Sequence, residues 1–416
     1  MSQQQESSAR PNAATIFVAL VAGLATTLSP VDAQDRPLSA DFPEVYRVGG
    51  LAAPDWAQFT ERGDLGFDAF GNLYVLDAEA FRVVVINPAG ELVRTVGQRG
   101  EGPGDFRDPT ALVVWRDGRF AVADGDRWAI QVFGGDGSHD HYARMNTEFR
   151  PFQLQQLTLQ RRMKPHPDGV SLYAQGASYA NRAIASWGTH PDSMGVDDRT
   201  IERFDVSADR VVAETALQGW RAQRESPRES LPDELESEHI LRVFLDDMIL
   251  EPKFYWDVLP DGTLAYSDSS AYVVRFVAAD GAPRGELRRP VVPEAVTGRM
   301  QADLMERELD QFKRPSSAIL LEVMEQREFY PEVPIIRWLR ATWEGGLWVR
   351  RRGEEPWENN GPIDVFGTDR SYLGTYAPGE TGIPSAFGPD GLVAFWEVDE
   401  MDVPSIVVKR VPEGVR

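Results

Sequence analysis

The sequence predicts an all-β protein, a closed ring of six four-stranded antiparallel blades carrying helical insertions on one face. Three observations carry this expectation. A hairpin unit with two turn glycines recurs at constant spacing. Turn formers are frequent, with 36 Gly and 29 Pro in 416 residues. Aromatic side chains are plentiful, with 11 Trp, 11 Tyr and 20 Phe. Many short strands joined by tight turns need this composition.

Composition also excludes several classes. The chain has no cysteine and a formal charge of -22. Disulfide scaffolds, thiolate metal sites and cysteine nucleophiles are therefore out. An acidic surface repels the phosphate backbone, so nucleic acid is not an expected partner. At the N-terminus, Arg10 precedes an apolar run from Ala13 to Leu28, followed by Val31-Asp32-Ala33. This reads as a signal peptide over residues 1–33, cleaved before Gln34, and it is short for a bilayer span. The expected mature chain, 34–416, is exported to the periplasm or the extracellular space and keeps no stable membrane span.

The blades are read from their repeats. Leu65 to Gly97, Pro109 to Ala143 and Phe254 to Arg288 share one plan: turn glycine, β-rich run ending in Asp, short polar loop, second β-rich run, turn glycine. Gly71 and Gly90, Gly118 and Gly137, and Gly262 and Gly281 are each 19 residues apart. Equal spacing in separate stretches marks a repeated supersecondary unit. Glycine at these positions supplies the positive φ of tight hairpins. Asp77, Asp124 and Asp268 close the second strand and are expected to bond the following turn. Asp68, just before a turn glycine, is expected to serve its hairpin.

Weaker copies complete the ring. His166-Pro167-Asp168-Gly169 opens a third unit, with Val170 to Ala174 and Ile201 to Leu217 as its later strands. Trp338 to Tyr376 forms a fifth. Ile383 to Val411 forms a sixth that lacks a fourth strand, which Val45 to Gly49 can supply. An N-terminal strand completing the last blade closes the ring and removes its sheet edges. The architecture is a six-bladed β-propeller.

The run Gly97-Gln-Arg-Gly100-Glu-Gly102-Pro-Gly104-Asp-Phe106-Arg-Asp-Pro109 leads into Asp117-Gly118, Val122-Ala-Asp124 and Ile130-Gln-Val-Phe133. It resembles an NHL repeat, and the whole chain is similar to six-bladed NHL-like propellers of exported bacterial proteins. The resemblance covers blades 1, 2 and 4 best. It implies the fold, and because such propellers include scaffolds, binders and enzymes, it implies no single activity.

Three insertions interrupt the ring, at about 176–199, 220–252 and 293–332. The first is rich in Gly, Ser, Asn and Asp and reads as a loop. In the second, Leu235, Leu241, Phe244, Leu245 and Met248 fall largely on one helical face; in the third, Val296, Met300 and Leu304 mark one helix and Ile319 to Met324 another. Each insertion joins strand two to strand three of a blade, or one blade to the next. In an up-and-down blade both connections emerge on the same side, so all three crowd one mouth of the channel.

The chemistry is read with that topology. The innermost strands TALVVW, FYWDVLP, IIRWLRAT and PSAFGP offer one mid-strand carboxylate, Asp257, with Arg337 and Arg340 on a neighbouring strand. That is thin for a calcium-type site, which needs converging oxygens; no metal or cofactor is expected. His139-Asp140-His141 reads as a solvated turn. Trp128, Trp187 and Trp357 fall in loops of the insertion face, with Arg107, Asp126 and Arg127 near the first. Aromatic faces beside Arg and Asp can bind a protein, peptide or glycan. The expected function is a non-catalytic binding or scaffold module using these residues together with Asp257 and Arg337. The alternative is a metal-dependent hydrolase or lyase with its site in the central channel.

Overall fold

The computed structural model describes residues 35–60, 62–145, 162–177, 196–222, 248–312 and 327–416. Six four-stranded antiparallel sheets form the blades. Blade 1 is β2 (Leu65–Phe67), β3 (Leu73–Asp77), β4 (Arg82–Ile86) and β5 (Leu92–Val96). Blade 2 is β6 (Pro109–Val114), β7 (Phe120–Asp124), β8 (Ala129–Phe133) and β9 (His139–Arg144). Blade 3 is β10 (Met163–Pro165), β11 (Ser171–Gln175), β12 (Thr200–Asp205) and β13 (Val212–Gln218). Blade 4 is β14 (Tyr255–Val258), β15 (Leu264–Ser267), β16 (Val273–Val277) and β17 (Pro283–Arg288). Blade 5 is β20 (Ile336–Ala341), β21 (Leu347–Arg351), β22 (Ile363–Phe366) and β23 (Tyr372–Tyr376). Blade 6 is β24 (Ala386–Phe387), β25 (Leu392–Val398) and β26 (Pro404–Arg410), completed by β1 (Glu44–Gly49).

The closing strand is the one expected. In β1, Tyr46 lies opposite Val408 and Val48 opposite Ile406 on β26. All six turn glycines have φ between 80° and 87°, the left-handed backbone that only glycine takes without strain.

Each blade hides both faces against its neighbours, which is why β3 and β7 are buried from end to end. Tyr74, Val85, Leu112 and Phe120 pack between blades 1 and 2. Tyr173, Ile201, Trp256 and Leu264 pack between blades 3 and 4. Tyr46, Ile406, Leu73 and Val84 seal blade 6 to blade 1, so the apolar seam runs around the whole ring.

Of the three strand-end aspartates, Asp124 bonds the turn that follows it, through the Arg127 N–H at 3.3 Å. All three, Asp77, Asp124 and Asp268, pin the connection arriving from the preceding blade. Asp77 accepts from the Thr60 hydroxyl at 2.7 Å and from Arg82 Nη2 at 2.8 Å. Asp124 accepts from the backbone N–H of Arg107 and Asp108 at 3.0 and 3.1 Å. Asp268 accepts from the Trp220 N–H at 2.8 Å. Asp68 keeps the predicted hairpin role, accepting from the N–H of Phe70 and Asn72, each at 2.9 Å.

Among the described residues there is one α-helix, α1 (Gly298–Phe312), in the third insertion. It buries Leu304, and β18 (Glu294–Ala295) pairs with β19 (Glu332–Val333) at its base. The expected signal peptide, most of the helical stretch expected in 220–252, most of the loop expected at 176–199 and the second helix expected in 293–332 lie outside the described residues. Among the described residues no helix is long and apolar enough to cross a membrane.

Candidate functional site: the central channel

Six innermost strands, one per blade, surround the axis and enclose a cavity of about 840 Å³. Strand alternation decides what reaches it. On β10, Met163 turns into the blade 2–3 core, whereas Arg162 and Lys164 line the cavity. On β20, Leu339 enters the core while Trp338 and Arg340 line the cavity. On β14, Trp256 enters the core and Asp257 lines the cavity.

Asp257 is the centre of this arrangement. Its side chain is 5% exposed, and three cations face it: Arg162 Nη2 at 3.6 Å, Lys164 Nζ at 3.7 Å and Arg340 Nε at 4.0 Å. None of these is a hydrogen-bond distance. The carboxylate is instead bonded by backbone N–H groups, Val258 at 3.0 Å and Ala341 at 3.1 Å. Arg162 Nη2 and Arg340 Nε are buried and have no hydrogen-bond partner. The Arg162 guanidinium sits between two indoles, 5.2 Å from the Trp256 centroid and 5.1 Å from that of Trp338.

Electrostatics follow from this crowding. Burial, reinforced by the Arg340 and Arg162 charges and opposed by Asp257, pulls the Lys164 ammonium down to about 7. Burial likewise lowers Arg162 to about 10, with Asp257 opposing. Burial pushes the Asp257 carboxyl up, but the charges of Lys164, Arg162 and Arg340 outweigh it and hold the group below the usual carboxylate range. Six Lys and Arg side chains line the cavity against four Asp, in a chain whose net charge is -22.

One mouth of the channel is barred. Arg116 lies in the turn after β6 and Trp343 in the turn after β20, on blades 2 and 5, which stand opposite each other in a six-membered ring. Arg116 Nη2 donates to the Trp343 carbonyl at 2.5 Å, and its guanidinium lies 4.1 Å from the Trp343 ring centroid. These turns join strand one to strand two of their blades, on the face opposite the blade-to-blade connection that carries α1.

Of the expected ligand-binding residues that the structure describes, Asp257 alone lines this cavity, joined by Arg340, which the sequence placed on the neighbouring strand. Trp128 is 3% exposed and packs in the blade 2–3 core with φ +52°, which corrects its reading as a ligand-facing ring. Arg127 braces the adjacent loop, donating to the Gly100 carbonyl at 2.8 Å and pairing with Asp124 at 3.3 Å. Arg107 pairs with Glu101 at 2.7 Å, and Asp126 is half-buried. Arg337 donates to the Pro356 carbonyl and does not line the channel. Trp187 lies outside the described residues. Trp357 borders a shallower depression of about 500 Å³ with Arg350, Asn359, Asn360 and Thr381, and Arg307 of α1 stacks 4.5 Å from its ring. His141 gives Nε2 to the Val206 carbonyl at 2.7 Å. Among the described residues no three His, Cys, Asp or Glu side chains group to hold a metal.

Arg162 and Lys164 escape the sequence reading, because it opens the third blade only at His166, after β10. A signal for it exists. Phe67, Val114 and Val258 end their innermost strands four residues before Gly71, Gly118 and Gly262, and Pro165 stands four before Gly169.

No family model matches the chain, and no curated protein matches it. Solved structures do resemble it. A Bacteroides fragilis protein described by name as exported is 13% identical, with a TM-score of 0.47, covering 91% of this chain and 98% of its own. A Bacteroides vulgatus protein from a family of unknown function is 8% identical, with a TM-score of 0.46, covering 90% and 100%. Virginiamycin B lyase from Staphylococcus aureus is 11% identical, with a TM-score of 0.36, covering 88% and 99%. The fold rests on the six sheets themselves, and no ligand or activity carries over from these proteins.

Proposed function

We propose that this protein is an exported ligand-binding propeller, with NHL-like blades, whose ligand occupies the central channel. One observation carries the reading. The channel holds two buried guanidinium N–H groups that no protein acceptor takes, Arg162 Nη2 and Arg340 Nε, inside a cavity of the size that takes small molecules. A ligand supplying the missing acceptors would complete it. Export rests on the apolar N-terminal run and its small-residue cleavage site.

A second reading keeps the partner at the insertion face, as a peptide or glycan. The depression beside Trp357, with an indole, two Asn amides and Arg350 on its walls, supports it. For a metal-dependent hydrolase or lyase, the described residues supply too few converging oxygens: Asp257 faces three cations, and Asp64 accepts from the Leu112 N–H at 3.0 Å.

The test is a thermal-shift and fluorescence screen of residues 34–416 against a small-molecule library. Channel ligands should stabilise the wild type and lose their effect in Trp338→Ala, whose ring lines the cavity. Hits that survive Trp338→Ala but vanish in Trp357→Ala would move the site to the insertion face.

A further inference from the structure

We infer that the channel is built for a small dianion, a molecule carrying either two carboxylates or one phosphate; this rests on the reading that the ligand lies in the channel. Arg162, Lys164 and Arg340 come from blades 3 and 5, and Asp257 from blade 4 between them. Asp257 is the carboxylate within ion-pair distance of these three cations, and Asp64 acts on Arg162 and Lys164 from farther away. Over the whole cavity lining, six cations against four Asp leave a surplus of about two positive charges when Lys164 is protonated. A dianion neutralises it, and a monoanion does so only in part.

Hydrogen bonding points the same way. Each Asp257 oxygen already accepts one backbone N–H, from Val258 or from Ala341. The guanidinium nitrogens nearest to this carboxylate, Arg162 Nη2 and Arg340 Nε, remain without a hydrogen-bond partner, although Arg340 Nη1 donates to the Ser385 carbonyl. Guanidinium donors fit carboxylate and phosphate oxygens in fixed geometry. Because Arg162 is clamped between Trp256 and Trp338, it is oriented before any ligand arrives, which lowers the ordering cost of binding. Apolar neighbours, among them Leu112 and Trp338, set the remainder of the wall, so an anion with an apolar body fits better than a compact one.

Isothermal titration of residues 34–416 with succinate, phenyl phosphate, inorganic phosphate, acetate and neutral succinamide tests this. Saturable binding of succinate or a phosphate, at least tenfold tighter than acetate and absent for succinamide, is the expected result. It should weaken at least tenfold in both Arg162→Gln and Arg340→Gln, each checked for a wild-type circular dichroism spectrum. Succinate against the phosphates separates the two sources of charge. Should either variant fail to fold, Lys164→Met provides the same comparison. Equal binding of succinate and succinamide in the channel would overturn the dianion assignment yet leave the channel reading intact. Library hits that depend only on Trp357, with no anion bound, would overturn both.

Discussion

Replacing Asp257 by Asn removes the one negative charge on which three cations converge. Asparagine preserves shape, so the loss is almost purely electrostatic. It also turns an NH₂ group toward an N–H of Val258 or Ala341, where the carboxylate now accepts two bonds. Removing one member of a buried charge pair costs about 3–5 kcal/mol, because the remaining charge is left uncompensated. The unfolding entropy of a propeller of about 380 residues, at roughly 2.1 cal/mol/K per residue, is about 0.8 kcal/mol/K. The expected fall in Tm is therefore about 4–6 °C. Differential scanning calorimetry at pH 6 in low-salt buffer would measure it. A second scan with 20 mM succinate should restore most of the loss, because the anion replaces the missing charge. A variant within 1 °C of wild type in the first scan would refute the claim that Asp257 holds the cluster together.

Three further outcomes follow from the same physics. Arg289→Ala should cost about 1.5–3 kcal/mol, since Asp364, with no solvent exposure, loses Arg289 Nη1 at 2.8 Å but keeps Arg351 Nε at 3.3 Å; urea denaturation would show a lower midpoint. Asp35→Ala should cost less, about 1 kcal/mol, because its carboxylate is partly exposed where it meets Arg289 at 3.0 Å. Trp128→Ala should lose about 3–5 kcal/mol of stability by opening a cavity in the blade 2–3 core, and should leave channel binding unchanged in calorimetry.

The fold was legible because its determinants are local. Paired glycines 19 residues apart and Asp at a strand end each answer to a requirement within one blade. The closing strand was legible too, since a sixth unit short of one strand demands a donor, and Val45 to Gly49 is the one β-rich run left over. The site was not legible in the same way. Asp257 stood out in mid-strand, but its meaning depends on blades 3 and 5, and the contact between Lys164 and Asp257 crosses 93 residues of chain. Trp128 misled for the opposite reason. A tryptophan in a short loop looks exposed, yet the left-handed backbone at that position folds its ring back between two blades.

Lysine is scarce here, occurring only at 164, 253, 313 and 409 among 43 Lys and Arg residues. One of these few stands in the channel between two arginines, where a third guanidinium would give stronger and more directional anion contacts. The difference that lysine makes is that it can lose its proton. Arginine keeps its charge across the physiological range, whereas burial and the Arg340 charge bring Lys164 down to about 7. Around it, Asp257 and Asp64 favour the charged form, and Arg162 and Arg340 oppose it. Below about pH 7 the cluster carries its full charge; as pH rises through 7 it loses one unit while both arginines persist. An entering dianion favours the protonated amine, so binding above pH 7 takes up a proton and weakens as pH rises. Titrations at pH 6 and pH 8.5, in buffers of different ionisation enthalpy, should show affinity falling about tenfold and proton uptake approaching one. In Lys164→Arg both effects should vanish while binding at pH 6 persists. A wild-type affinity that is flat between those pH values would mean that Lys164 serves only as a fixed partner of Asp257.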